Sequence, residues 1–521
     1  MTRLGAGALI WAGFDGETAP GAILDAIERG AIGGVLLFAV RGNVRSKDQT
    51  REMLREIQDA TRRGRLPPVP VGIDQEGGSV VRITYRPVFP SAMAIAATGD
   101  PAYAERAGRA VAELLRVDGI AVNHAPVCDV NVEPRNPVIG TRSFGDDAAR
   151  VAAFAAAWVR GSEGAGVATT PKHFPGHGEA PVDSHFTTVD VRADRHTLET
   201  RDLAPFRAAL AAGASALMAA HVRYPALDED NIATLSPKIL IDLLRKELGF
   251  TGLVITDSLD MSGIGLIEPS ETVVARAVNA GVDAVMVTSG VDKQLAAAER
   301  IATGVRAPRV LEAVRRAARF RERFGVAVPE GDIDETPHRA LAAEIAARSI
   351  TLLGGPLRPW TDGPPGAQGP IRVSAFSRKW RSPAEEPGDR MRWLEDALRR
   401  RFGSRLVFAR DGAMPEGTGN ARRNTGPSGG TTGPSGGMNG PVIVCTVNAA
   451  FDAEQAAHTR ELLRDGGVLC ALGSPYDAAV IAHRPALLSY GDVPASLDAL
   501  AAVLAGDRPA TGVCPVRLVR P

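Results

Sequence analysis

The chain has 521 residues, with 60 Lys plus Arg against 60 Asp plus Glu, and a formal net charge of zero. That balance argues against a broad nucleic-acid or anionic-membrane surface, which would need a basic excess, and no apolar run approaches the roughly 20 residues of a membrane span. With 45% hydrophobic and 23% charged residues the composition is that of a globular protein with a sizeable core, large enough for about three domains, or fewer if one α/β barrel takes up about 250 residues.

Eight short apolar runs recur through the first 290 residues: 8–14, 34–38, 69–73, 120–123, 167–172, 216–221, 253–256 and 284–287. They are mostly continuous rather than alternating, as parallel strands covered on both faces should be. Between them lie amphipathic Ala/Leu/Arg-rich stretches such as 50–62, 101–117, 148–162 and 239–248. The pattern predicts a (β/α)8 TIM-type barrel over 1–325. An open doubly wound sheet is the alternative, but its Gly-rich phosphate loop after the first strand is missing. A helix pattern at 311–324 is followed by a linker at 326–348, whose own helix pattern at 339–348 leads into an apolar run at 350–353. The remainder, 349–521, alternates strand and helix patterns at 371–375, 391–400, 442–447, 453–464 and 467–472 and predicts a smaller α/β sandwich-like domain. Within it, residues 412–440 hold TGPSGG twice; such a tract buries too little apolar surface to order itself and reads as a surface loop.

Cys128, Cys445, Cys470 and Cys514 form no CxxC pair and read as free thiols, three of them in or near apolar runs. The N-terminus has one Arg and a brief apolar run before Asp15 and Glu17, without a small-residue cleavage site, which predicts a cytoplasmic protein.

Chemistry concentrates where strands end. After the fifth run comes Lys172-His173-Phe-Pro-Gly-His177-Gly-Glu-Ala-Pro-Val-Asp183-Ser-His185, and Pro and Gly exclude a helix through it. Three readings compete: a loop packed by neutral histidines; a metal site using His173, His177, Asp183 and His185, whose His-x3-His spacing lacks its usual helix; and an acid/base site in which Asp183 orients His185 and favours its charged form. Asp257 closes the apolar run Leu253–Thr256, a rigid mount at a barrel mouth, although an Asp there can also cap the next segment; Asp260, farther out, suits that capping role better. Gly72-Ile-Asp74-Gln-Glu-Gly-Gly-Ser-Val-Val-Arg82 and Asn136-Pro-Val-Ile-Gly-Thr-Arg142-Ser-Phe-Gly145 follow the third and fourth runs. Their arginines are either surface residues or ligand clamps.

Taken in order, GIDQEGG…R, NPVIGTRSFG, KHFPGHG…DSH and VITDSLDM closely resemble the family 3 glycoside hydrolases, and more narrowly their β-N-acetylglucosaminidase branch, over roughly residues 5–325. The second half looks like a degraded form of the α/β sandwich that many members carry. The resemblance implies Asp257 as nucleophile, His185 as acid/base assisted by Asp183, and Asp74, Arg82, Arg142, Lys172 and His173 as sugar-binding residues, with no metal and no cofactor. Ser258 stands where the branch usually has a second Asp. His177 is assigned to loop structure. The β-glucosidase branch is disfavoured because it lacks the His-rich loop.

The residue chemistry agrees: retaining glycosidases need a nucleophile and an acid/base, and an imidazole with an unperturbed pKa of about 6.5 can serve as the second group. The expected function is a retaining exo-β-N-acetylglucosaminidase of the β-N-acetylhexosaminidase class, acting on peptidoglycan-derived fragments. It would bind a small carbohydrate, neither nucleic acid nor membrane, as a monomer. The alternatives are a β-N-acetylglucosaminide phosphorylase, since a neutral His does not repel phosphate as a carboxylate would, and a non-catalytic carbohydrate-binding protein on the same barrel.

Overall fold

Parallel strands buried on both faces leave continuous apolar runs, and all eight predicted runs contain strands in the computed structural model. The structure describes residues 5–182, 189–261, 264, 270–357, 370–379, 382, 385, 390–413, 442–481 and 484–518. The strands are β1 (Ile10–Ala12), β2 (Gly34–Leu37), β3 (Val71–Ile73), β4 (Val122–Asn123), β5 (Ala168–Thr169), β6 (Ala216–Ala219), β7 (Leu253–Ser258) and β8 (Ala284–Val287). They form one parallel sheet in the order β5-β4-β3-β2-β1-β8-β7-β6. The ring closes through the chain after β5 rather than through β5 itself. Phe174 bridges Ala219 in parallel, with Phe174 N donating to Met218 O and Ala220 N donating to Phe174 O, both at 2.9 Å. The segment that carries Lys172 and His173 is therefore part of the barrel wall.

Helices α1 (Gly21–Glu28), α2 (Lys47–Arg63), α3 (Ala102–Val117), α4 (Ala148–Gly164), α5 (Leu203–Ala211), α6 (Lys238–Glu247), α7 (Ser270–Ala280) and α8 (Val291–Gly304) follow the eight strands in turn, the (β/α)8 arrangement. Local signals start them: Ser46 Oγ accepts from Gln49 N and the Asp147 carboxylate from Arg150 N, the usual N-cap bonds. Glycine sets how closely α3 and α4 approach. A Cβ at Gly108 would lie 2.5 Å from Trp158 O, and one at Gly161 would lie 2.0 Å from Glu105 O.

A further helix, α9 (Ala307–Phe324), crosses the N-terminal end of the barrel. Phe320 meets the Trp11 ring at 6.2 Å, and Arg321 donates to Pro67 O and Pro68 O just before β3. Asp283, fully buried before β8, receives Arg245, Arg309 and Arg316. A helix α10 (Thr336–Ser349) follows.

The chain divides into two compact units. The first takes Met1–Ser349 together with Val513–Arg517, and the second includes Ile350–Lys379 and Asp389–Gly512. The late segment belongs with the first unit because Pro515 O accepts from Arg150 Nη1 at 2.6 Å and Arg517 N donates to Asp146 at 2.6 Å. The second unit holds a six-stranded sheet of β9 (Thr351–Leu353), β10 (Ile371–Ala375), β11 (Leu406–Arg410), β12 (Val442–Thr446), β13 (Gly467–Ala471) and β14 (Ala486–Leu488), ordered β9-β14-β13-β12-β10-β11. All neighbours are parallel except β9 on β14. Helices at Arg390–Phe402, Ala453–Leu462 and Pro494–Ala505 complete an α/β domain. Cys128, Cys445 and Cys470 are buried free thiols and Cys514 is half-buried. Of the predicted tract 412–440, residues 414–440 lie outside the described residues. Among the described residues no helix is long and apolar enough to cross a membrane.

Three guanidiniums converge on Asp283, and Arg309 and Arg316 also reach Glu312. Asp283→Asn should lower the stability of the barrel by about 3–5 kcal/mol, the cost of breaking a buried ion pair. The check is a fall in the urea midpoint at unchanged denaturant slope; an unchanged midpoint would show that other contacts hold α9.

Candidate active site

The C-terminal ends of the barrel strands surround a cavity of about 320 Å³, within the range of small-ligand sites. Asp74, Arg82, Arg142, Lys172, His173 and Asp257 all line it, so six of the eight residues singled out from sequence come together. The other two, Asp183 and His185, lie outside the described residues.

Asp257 owes its position to an irregularity in β7. Ile255 pairs with Ala284 but Ser258 pairs with Met286, so β7 carries one extra residue against β8. Such a bulge re-aims a side chain and leaves a ladder position open. Here the Thr256 hydroxyl accepts from Met286 N at 3.0 Å, and Asp257 is half-buried at the cavity with its Oδ1 accepting from Ser258 N at 2.7 Å. Asp260 is placed differently. Its carboxylate accepts from the backbone and hydroxyl groups of Thr288 and Ser289 at 2.6–2.8 Å, and so pins the loop after β7 to the end of β8.

The opposite wall is a chain of ion pairs. Past β3 the backbone stays extended, so Asp74 and Glu76 line the cavity while the Gln75 side chain turns away to accept from Arg82 N and Ile83 N. Lys172 Nζ lies 2.7 Å from Asp74 and 2.5 Å from Glu76. Arg142 forks onto Glu76 with two bonds of 2.8 Å and donates a third to Val138 O. Arg82 Nη2 is 3.9 Å from Asp74. Burial alone would raise both carboxyls. Lys172 and Arg82 outweigh it at Asp74, which ends well below the usual carboxylate range. Arg142 and Lys172 outweigh it at Glu76, which falls to about 2. On the floor, His124 Nδ1 lies 3.3 Å from Thr170 Oγ1, and burial lowers its imidazole to about 4, leaving it neutral.

His173 is oriented from behind. Fully buried Asp129 takes its Nδ1 at 2.7 Å and also accepts from His173 N and His177 N. That leaves Nε2 as the ring's second polar atom, the arrangement by which a carboxylate fixes an imidazole tautomer. His177 is buried, and its carbonyl accepts from Asn136 Nδ2. Asp129 and Glu76 were not assigned from sequence. Asp129 ends the apolar run Ala125–Cys128 just past β4, the same signal that marks Asp257, and Glu76 stands two residues from Asp74 in the same motif. Among the described residues no three His, Cys, Asp or Glu side chains group to hold a metal ion.

Fold and cavity define an α/β-barrel protein with a small-ligand site lined by charged and apolar side chains. Residues 18–320 match the glycosyl hydrolase family 3 N-terminal domain, and the chain belongs to that family. It is 39% identical over 286 residues to the beta-hexosaminidase A of Pseudoalteromonas piscicida, covering 51% of this chain and 47% of that protein. It is 40% identical over 247 residues to a beta-hexosaminidase of Stenotrophomonas maltophilia, covering 46% of this chain and 70% of that one. The chain thus spans about half the length of the first of these relatives. A family 3 beta-N-acetylglucosaminidase structure from Paenibacillus sp. str. FPU-7 superposes with a TM-score of 0.85 at 29% identity, covering 99% of this chain and 98% of that one.

The depressed Glu76 carboxyl sets a sign for pH. Its folded value of about 2 lies below the ordinary 4.5, so its contribution to stability is present above pH 4.5 and lost as pH falls toward 2. The gap corresponds to on the order of 3 kcal/mol. Glu76→Gln should flatten the acid limb of the Tm-against-pH curve below pH 4.5; an acid limb as steep as the parent's would remove Glu76 from this role.

Proposed function

We propose that the chain is a retaining exo-β-N-acetylglucosaminidase that releases terminal β-linked GlcNAc, with peptidoglycan-derived fragments as its source and the cytoplasm as its location. The observation that carries this reading is Asp257 on a bulged strand end, lining a one-ligand cavity whose other wall is the Asp74–Lys172–Glu76–Arg142 ion-pair chain. The names of the beta-hexosaminidase relatives and of the superposed beta-N-acetylglucosaminidase support it.

In this reading Asp74, Arg82, Arg142, Lys172 and His173 bind the sugar's hydroxyl and acetamido groups. Charged donors and acceptors already held by one another need little reorganisation to do so. Asp257 attacks the anomeric carbon as the glycosidic bond breaks, and His185, charged and assisted by Asp183, gives its proton to the leaving oxygen. The neutral imidazole then takes a proton from water as that water displaces Asp257 from the covalent glycosyl-enzyme, restoring both groups.

Asp257→Asn should reduce kcat by at least about 10³-fold with the fold intact, because an amide is nearly isosteric and a poor nucleophile. A 2-deoxy-2-fluoro glycoside should label the parent at Asp257. Mass-spectrometric labelling of another carboxylate would overturn the nucleophile assignment.

In kcat/KM, which reports the first, glycosylation step, His185→Ala should cost about 10²–10⁴-fold on a substrate with a poor leaving group and far less on an activated aryl glycoside, whose phenolate leaves without much protonation. Equal losses on both would make His185 a binding or structural residue.

A further inference from the structure

A second cavity, of about 690 Å³, lies at the opposite end of the barrel from Asp257, where β6 and β7 begin and α9 crosses. Four guanidiniums line it, those of Arg207, Arg316, Arg319 and Arg323, against the single carboxylate of Glu247. Three of the four come from α9 at positions i, i+3 and i+7, which puts them on one face of that helix over about 10 Å of its length. Arg207 comes from α5.

Their partners divide the four into two pairs. Arg316 is held by Asp283 at 3.2 Å and by Glu312 at 2.6 Å. Arg323 lies 3.5 Å from Glu163 and covers the Phe324 ring at 4.7 Å. Among the described residues, neither Arg207 nor Arg319 has an ion pair or a hydrogen bond. Glu247 does not answer them, since it lies 3.5 Å from Arg195. Cations near helix C-termini commonly bind the last carbonyls, and α5 and α6 both end at this cavity. Here the backbone does so instead. Ala208 O, Ala209 O and Leu210 O accept from Ala212 N, Ala214 N and Gly213 N, and Leu243 O and Leu244 O accept from Leu248 N and Phe250 N, at 2.9–3.3 Å. Two guanidiniums on different helices therefore line one cavity with neither a carboxylate nor a helix end in contact.

We propose that this cavity binds a small molecule carrying two or more phosphate groups. Guanidinium forks match phosphate oxygens in pairs, and positive charges spread over about 10 Å suit a diphosphate better than a single anion. The buried Phe250 and Phe320 rings form part of the lining and offer an apolar surface to an organic group attached to the phosphates. A concave site of this volume takes a small ligand, and the zero net charge of the chain argues against an extended polyanion such as nucleic acid. The site is separate from the cavity at Asp257 and independent of the reaction proposed there.

The test is calorimetric titration of the full chain with inorganic pyrophosphate and with adenosine diphosphate. The parent should bind, and its Tm should rise with probe concentration. Tighter binding of adenosine diphosphate would assign an organic diphosphate and equal binding an inorganic one; both outcomes sustain the site. Arg207→Gln and Arg319→Gln break no ion pair, so each should unfold at the parent's temperature without ligand. Each should weaken binding by about tenfold or more, the worth of one charge-assisted contact. Arg315→Gln, which replaces an exposed arginine of the same helix outside the lining, should stay within about twofold of the parent. Absence of binding by the parent to both probes would overturn the site. So would undiminished binding by Arg207→Gln and Arg319→Gln, which would put the anion elsewhere, or a loss of the same size in Arg315→Gln, which would reduce the effect to general surface charge.

Discussion

The Lys172 ammonium is the tie on which the site depends. It lies within 2.7 Å of Asp74 and 2.5 Å of Glu76, and so joins the end of β3 to the segment that closes the barrel between β5 and β6. Without it the buried Glu76 and half-buried Asp74 carboxylates would face one another with less to offset their repulsion, and both would hold protons to higher pH. With it, and with Arg142 forked onto Glu76, both stay ionised in a nearly dry wall. Arg82, Arg142 and Lys172 set three positive charges against the two negative ones of Asp74 and Glu76. A ligand with many hydroxyls meets donors and acceptors that are already aimed, and the order of the wall is established in folding rather than in binding.

The remaining features of the site follow from how backbone is spent around that tie. A residue inserted in β7 turns Asp257 toward the cavity, and the hydroxyl of Thr256 repairs the ladder position it leaves. Asp129 occupies no cavity surface yet holds His173 and His177 by three backbone and side-chain bonds. The second unit has a different logic. The parallel strands of its sheet, β11-β10-β12-β13-β14, run in the doubly wound order in which the chain reverses direction between the first and third strands. Its core includes Val442, Val444, Leu462 and Leu469.

Much of this could be read from the chain alone. The eight barrel strands and most of their helices are local features: apolar runs covered on two faces, amphipathic stretches, and side-chain caps such as Ser46 and Asp147. Asp74, Lys172, His173 and Asp257 stand at or just past the ends of predicted strands, where a parallel barrel presents its side chains, Arg82 and Arg142 stand farther along the motifs that follow, and the roles of all six came from the family resemblance. The sequence also carried the family motifs in order, and with them the expectation of Asp183 and His185, which lie outside the described residues. The short strands Leu406–Arg410 and Ala486–Leu488 and the helix Pro494–Ala505 left no such mark. The first is a sheet-edge strand with three half-buried residues in a row, the second is three residues long, and the Ala/Leu-rich helix is buried nearly all round, so none shows a clear period.

What only the tertiary structure decided is who holds whom. That Phe174 pairs with Ala219 to close the barrel, that Glu76 is shared by Arg142 and Lys172, and that Asp129 orients His173 are contacts between residues 44 to 96 positions apart. The same holds for the return of residues 513–517 to the first unit. Periodicity reports which face of an element is buried, because burial repeats with the geometry of that element. It carries no record of the partner across the gap, since that choice depends on where the rest of the chain has folded.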